Sequence, residues 1–133
     1  MSTALAPEML MRRALSVAAN ATHRVSPNPK VGCVLLDRHG AIVGEGVTQP
    51  PGEAHAEIEA LRKADGRARG GEMFVTLEPC CHHGRTMPCT DAIIASGVRK
   101  VYVGALDPNP LVSGGGVAEL RSAGIEVEVG VAA

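Results

Sequence analysis

Aromatic side chains are almost missing from this chain. One Phe, one Tyr and no Trp stand among 133 residues, so the core must be packed from Val, Ile, Leu, Ala and Met. The same scarcity removes the ring platforms on which single-stranded nucleic acids stack. The net charge of −1 supplies no electrostatic pull toward nucleic acid or an anionic membrane. No apolar run approaches the roughly 18 residues that span a bilayer. No basic region leads the first apolar stretch, and Arg12-Arg13 interrupts it, so no secretory leader is read there. These absences predict a cytoplasmic protein with neither nucleic acid nor membrane as partner. Repeats, linkers and low-complexity tracts are missing too, and the length suits one domain, 1–133.

What is present divides cleanly into short elements. Apolar residues recur at helical spacing over 8–18, giving a first helix. Ser26-Pro27-Asn28-Pro29 then stops helix formation. Residues 31–36 read as a buried strand, Asp37-Arg38-His39-Gly40 as a turn, and 41–47 as the returning strand of a hairpin. A helix over 54–64, a strand over 73–77, a helix over 90–96 closed by Gly97, a strand over 100–105, a helix over 117–122 and a strand over 125–131 follow. Strands linked by helices pair parallel through right-handed crossovers. The expected fold is α/β, a mixed five-stranded sheet covered by helices on both faces in three α/β/α layers.

Cysteine is concentrated. TLEPCCHHGRTMPC, residues 76–89, holds three of four cysteines and two of five histidines, and clustered cysteines in a cytosolic chain favour metal binding or catalysis over disulfides. Upstream, His55-Ala56-Glu57 opens the second helix. One imidazole with two thiolates suits zinc and leaves a fourth position open, as catalytic sites do. On a regular helix residues i and i+2 point in nearly opposite directions. His55 and Glu57 can therefore share a site only if His55 sits at the helix entrance, before regular dihedrals begin. H-x-E with a later P-C is the signature of zinc-dependent base deaminases, in which the Glu moves protons.

On spacing alone Cys81 and His83 rival Cys89 as third ligand beside Cys80. Cys89 is preferred because adjacent cysteines would strain a tetrahedral site and because Thr86 and Pro88 set up a helix start. Cys33, inside an apolar strand, reads as core, and Glu59 as a solvated helix carboxylate. Asn109 lies after a strand, where open sheets place ligands. Ser113-Gly114-Gly115-Gly116 can offer backbone amides to a phosphate, a flexible connector being the plainer reading. Arg85 is the better phosphate partner, since guanidinium grips phosphate bidentately.

HAEIEAL at 55–61, VTLEPCCHHGRTMPC at 75–89, DPNPLVSGGG at 107–116, SPNPKVGCV at 26–34 and AGIEVEVG at 123–130 together resemble the deaminase domain of riboflavin biosynthesis. That family, the diaminohydroxyphosphoribosylaminopyrimidine deaminases, lies in the cytidine deaminase-like superfamily. The resemblance covers nearly the whole chain. It implies a cytidine deaminase-like fold, Zn2+ on His55, Cys80 and Cys89, and Glu57 as proton shuttle. It implies hydrolytic deamination of 2,5-diamino-6-ribosylamino-4(3H)-pyrimidinone 5′-phosphate, a small phosphorylated aminopyrimidine, with Asn28 on the pyrimidine and His82 and Arg85 lining the site. A homo-oligomer, dimer or tetramer, is implied as well.

Two departures stand out. Thr48 occupies a position where the family places a substrate-holding histidine, which leaves open a deaminase of a related aminopyrimidine, nucleobase or nucleoside. The family also often carries a reductase domain, and residues 1–133 contain none, so a separate reductase is expected for the next step and no nicotinamide cofactor here. From another class, a non-catalytic zinc-stabilised module is the competing expectation.

Overall fold

The computed structural model describes residues 7–19, 30–48, 55–80, 89–108 and 113–131. In chain order these form α1 (Pro7–Ala19), β1 (Gly32–Leu36), β2 (Ile42–Val47), α2 (Ala56–Ala64), β3 (Glu72–Leu77), α3 (Cys89–Ser96), β4 (Lys100–Ala105), α4 (Gly115–Ser122) and β5 (Glu126–Val129). The strands make one mixed sheet in the order β2-β1-β3-β4-β5. β1 is antiparallel to both β2 and β3, while β3, β4 and β5 run parallel.

One pairing differs from the simple expectation. β2 and β3, joined by α2, run the same way but do not touch, because β1 lies between them. The burial pattern explains this. Every residue of β1 is buried, whereas β2 is half exposed. A continuous apolar strand belongs inside a sheet with a neighbour on each edge, and the polar, Gly-containing strand takes the rim.

Alternation along the strands builds two cores. Val34, Leu36, Phe74 and Tyr102 face α1, where Leu10, Met11 and Ala14 meet them. Cys33, Leu35, Met73, Val75, Val101 and Val103 face the other way, toward Ala56, Ala60, Ala64, Ile93, Val117 and Leu120 of α2, α3 and α4. The sheet is therefore the middle of three layers, as expected. The chain's one Phe and one Tyr stack on each other, Phe74 against Tyr102 with centroids 4.4 Å apart, on the α1 side. Such a pair contributes about 0.5–1.5 kcal/mol beyond its buried area.

Helix bounds follow the local signals, with one informative exception. Gly97 ends α3 at φ +81°, a conformation glycine adopts freely. α4 begins at Gly115, earlier than the apolar periodicity predicts. The glycine run is helix start rather than connector, because a carboxylate from β3's end caps it, as described below.

Candidate metal centre

α2 sits unusually close to the sheet, and small residues on both sides allow it. Ala56, Ala60 and Ala64 recur every four residues on its inner face. Opposite them stand Gly44 and Gly46 of β2. A Cβ at Gly46 would lie 2.1 Å from the Ala56 carbonyl oxygen, and one at Gly44 2.3 Å from that of Ala60. This contact sets the position of α2's first turn. His55 is its N-cap residue, with extended dihedrals of φ −76° and ψ 166° and no capping bond from its side chain. The imidazole is free to turn toward the cysteines while Glu57, already helical, points inward. The i, i+2 conflict is resolved at the helix entrance.

Cys80 follows β3 through Glu78 and Pro79, and Cys89 is the first residue of α3. The Thr90 N–H donates to the Cys80 carbonyl at 3.2 Å, and the Cys89 N–H points at Cys80 Sγ at 3.5 Å. His55 Nδ1 lies 3.0 Å from Cys89 Sγ and 3.7 Å from Cys80 Sγ. One donor atom from each of the three residues falls within 4.8 Å of the others. Glu57 is buried beside them, with a hydrogen bond to Cys89.

The electrostatics of the group are strained in one direction. A hydrogen bond from Cys89, helped by His55, pulls the Cys80 thiol down to about 4. The same bond, burial and the Glu57 carboxyl push the Cys89 thiol up. Burial raises the Glu57 carboxyl above its ordinary range, and the bond to Cys80 raises His55. Two thiols and a carboxyl thus compete for negative charge around one imidazole. A divalent cation answers that competition, letting both thiolates form together. The donor set, one nitrogen and two sulfurs, is the set zinc takes in open sites.

The other residues singled out in the sequence fare differently. Asn28, His82, Arg85 and Asn109, with the rival ligands Cys81 and His83, lie outside the described residues. Thr48 closes the β1–β2 ladder: its Oγ1 accepts the Val31 N–H at 2.7 Å, and its own N–H donates to the Val31 carbonyl at 2.9 Å. Cys33 is fully buried core, as expected. Glu59, by contrast, is not a solvated carboxylate. It is only 9% exposed, paired with Arg62 and with Lys63 at 3.8 Å. Its Cβ packs against Gly46 of β2, while its carboxylate meets the exposed cations of Arg62 and Lys63.

Sequence reasoning missed Glu78. Its carboxylate accepts N–H groups from Asp107, Gly114 and Val117 at 3.1, 2.9 and 3.0 Å. The amide of Gly114, offered above to a phosphate, is filled by the protein's own anion, which also takes that of Val117. The signal is the E of LEPC, to which the sequence reading gave no role of its own. Thr90 and Glu119, bonded at 3.0 Å beside Cys89, were missed too.

The profile of the cytidine and deoxycytidylate deaminase zinc-binding region matches residues 6–105. The chain belongs to this family. Within it, the diaminohydroxyphosphoribosylamino-pyrimidine deaminase of Buchnera aphidicola is 50% identical over 121 residues, covering 91% of this chain and 82% of that protein. The riboflavin biosynthesis protein RibD of Aquifex aeolicus is 54% identical over 91% of this chain but only 34% of its own length. A solved deaminase/5-amino-6-(5-phosphoribosylamino)uracil reductase from Thermotoga maritima superposes with a TM-score of 0.86 at 48% identity, covering 94% of this chain and 36% of that one. The chain therefore spans about a third of the length of most curated relatives it matches. Zinc is the cofactor of the family's matched region, and His55, Cys80 and Cys89 fall inside that match.

Proposed function

We propose that this chain hydrolytically deaminates 2,5-diamino-6-ribosylamino-4(3H)-pyrimidinone 5′-phosphate. The products are 5-amino-6-ribosylaminouracil 5′-phosphate and ammonia. The observation that carries the reading is the buried Glu57 carboxyl, hydrogen-bonded to Cys89 and set beside three metal-grade donors, with His55 at the helix entrance. His55, Cys80 and Cys89 hold zinc, which when bound supplies Lewis-acid activation of water. Glu57 takes one proton from the attacking water and passes it to the ring nitrogen, then takes the second from the new hydroxyl and passes it to the departing amine. The C–N bond to the 2-amino group breaks, a C=O bond replaces it, and the nitrogen leaves as ammonia. The carboxyl's burial suits this shuttle, since it raises the group above its ordinary value and so favours uptake of a proton.

Substrate contacts are assigned to Asn28 on the pyrimidine, His82 and Asn109 along the rim, Thr48 as a hydroxyl contact, and Arg85 on the phosphate. A small-molecule substrate rather than a nucleic acid is favoured by the net charge of −1. It is favoured also by the placement of Phe74 and Tyr102 in the α1 layer, on the opposite face of the sheet from His55, Cys80 and Cys89. Residues 1–133 act as one deaminase domain, a homo-oligomer (dimer or tetramer) in the cytoplasm, and the following reduction belongs to a reductase outside these residues. No helix among the described residues is long and apolar enough to cross a membrane.

Ammonia release from the diaminopyrimidine phosphate, from its dephosphorylated form and from cytidine tests the reading. The phosphate should be turned over fastest. Turnover of cytidine alone would reassign the substrate, and equal rates with and without phosphate would remove the role given to Arg85.

A further inference from the structure

α4 contributes no donor to the His55–Cys80–Cys89 group, yet it contacts the chain beside both cysteines. On one side, Glu78 lies two residues before Cys80. Its Oε1 accepts the N–H of Gly114 at 2.9 Å and of Asp107 at 3.1 Å, and its Oε2 that of Val117 at 3.0 Å. A Cβ at Gly116 would lie 2.1 Å from the Pro79 carbonyl oxygen, so the first turn of α4 rests directly on the residue preceding Cys80. On the other side, Glu119 of α4 accepts the Thr90 hydroxyl at 3.0 Å. Thr90 follows Cys89 and is fully buried, and its N–H donates to the Cys80 carbonyl at 3.2 Å. The path from Cys80 through Glu78, α4, Glu119 and Thr90 to Cys89 closes on itself.

Apart from the covalent steps along the chain, every link in that loop is a directional hydrogen bond or a contact too close for a side chain. Bonds to a carboxylate are about twice as strong as neutral ones, and the N-terminus of a helix adds its own favourable field for Glu78. A frame of this kind resists changes in the spacing of its corners. Ligands that are already in place lose less conformational freedom when the ion binds.

We infer that Glu78, Thr90 and Glu119 are positioning residues that set the separation and orientation of Cys80 and Cys89 through α4, before any metal arrives. The inference rests on the reading of these cysteines as zinc ligands. Outer partners of metal ligands typically change affinity by about 10–100-fold when removed, and that is the scale expected here.

The test uses the full chain and three variants. Thr90→Val keeps the shape and removes one bond. Glu78→Gln keeps the size and removes the charge. Val101→Ala, buried in β4 at the end away from the cysteines, is a stability control. Zinc affinity is measured by competition with a chromophoric chelator, the thiolate and ligand-field bands by absorption of the cobalt-substituted protein, and stability by melting the metal-free forms. Thr90→Val and Glu78→Gln should weaken zinc about 10-fold or more and move the cobalt bands. Val101→Ala should lower the melting point and leave both readouts unchanged. If Thr90→Val and Glu78→Gln keep wild-type affinity and spectrum, or if Val101→Ala shifts them equally for the same loss of stability, the positioning role is wrong. Should Glu78→Gln not fold, Thr90→Val decides. A Cys89→Ser variant that binds zinc as tightly as wild type would instead overturn the ligand assignment, and this inference with it.

Discussion

The Nδ1 atom of His55 lies 3.0 Å from the Sγ atom of Cys89, although 34 residues separate them. Two helix N-termini, those of α2 and α3, converge at the carboxyl end of β3 to make that distance. His55 brings its donor from the N-cap position of α2, and Cys89 from the first residue of α3. If the pair and Cys80 hold one ion, the group behaves as a unit.

Cys80→Ser, Cys89→Ser and His55→Ala should each lose zinc together with ammonia release. Elemental analysis of the purified variants should fall from about one zinc per chain to near zero. Adding a chelator to wild type should lower its melting point, because an ion at about 100 times its dissociation constant stabilises the folded state by roughly 2.7 kcal/mol. Full zinc occupancy in Cys89→Ser would return Cys81 or His83 to contention.

Glu57→Gln separates a catalyst from a zinc-stabilised module. The amide keeps the shape and hydrogen-bonding reach of the buried side chain but cannot shuttle protons. Zinc content and melting point should hold, while ammonia release falls about 10²–10⁴-fold. Unchanged turnover would end the proton-shuttle role.

Gly46→Ala and Gly44→Ala probe the seat of α2. Both would drive a methyl into a helix carbonyl, at 2.1 and 2.3 Å respectively, and overpacking of this kind costs about 1–3 kcal/mol. Chemical denaturation should show similar losses for the two. Only Gly46→Ala should also weaken zinc, since the atom it strikes belongs to Ala56, next to His55. Equal zinc affinities in the two variants would show that the seat of α2 does not govern the histidine.

Asp37 shapes the acid side of stability at the β1–β2 turn. Its Oδ1 accepts the N–H groups of His39 and Ala41 at 2.8 and 3.0 Å. The bond from Ala41, with the others in the turn, holds the carboxyl below its ordinary value. A carboxyl depressed on folding contributes stability above its unfolded pKa, near 3.9, and loses it as pH falls through the folded value. Carbon-detected titration of Asp37 should show a midpoint below 3.8, and Asp37→Ala should flatten the melting curve's decline in that acid window. A midpoint at or above 3.8 would contradict the turn's hydrogen bonding.

Much of the fold was legible because it is written in short-range pattern. Cys33 and Leu35 against Val34 and Leu36 alternate at a period of two, and that alone assigns them to different layers. The hairpin turn at 37–40 and the glycine ending α3 are equally local. Position in the sheet was less legible: β2 and β3 looked like neighbours until β1's complete burial placed it between them. Glu59 looked solvated because helix periodicity does not reveal that Gly46 leaves room for α2 to press its first turn against β2.

The candidate site shows the same division. The residue types and spacing in HAE and PC point to a metal site with a carboxyl nearby, because one imidazole and two thiolates form a donor set that suits zinc. Glu78 could not be read this way. Its partners Asp107, Gly114 and Val117 stand 29, 36 and 39 residues away, and no local pattern states which distant amide will meet a given carboxylate.

By itself the sequence determined which side chains are candidates for chemistry and which strand residues turn inward, because both depend on residue type and on periods of a few residues. The tertiary structure decided that His55 keeps extended dihedrals at the helix entrance, that Glu57 is buried, and that α4 meets Glu78 and Thr90 beside the two cysteines. Those outcomes depend on backbones from remote segments coming within about 3 Å of one another, a relation that exists only once the layers have packed.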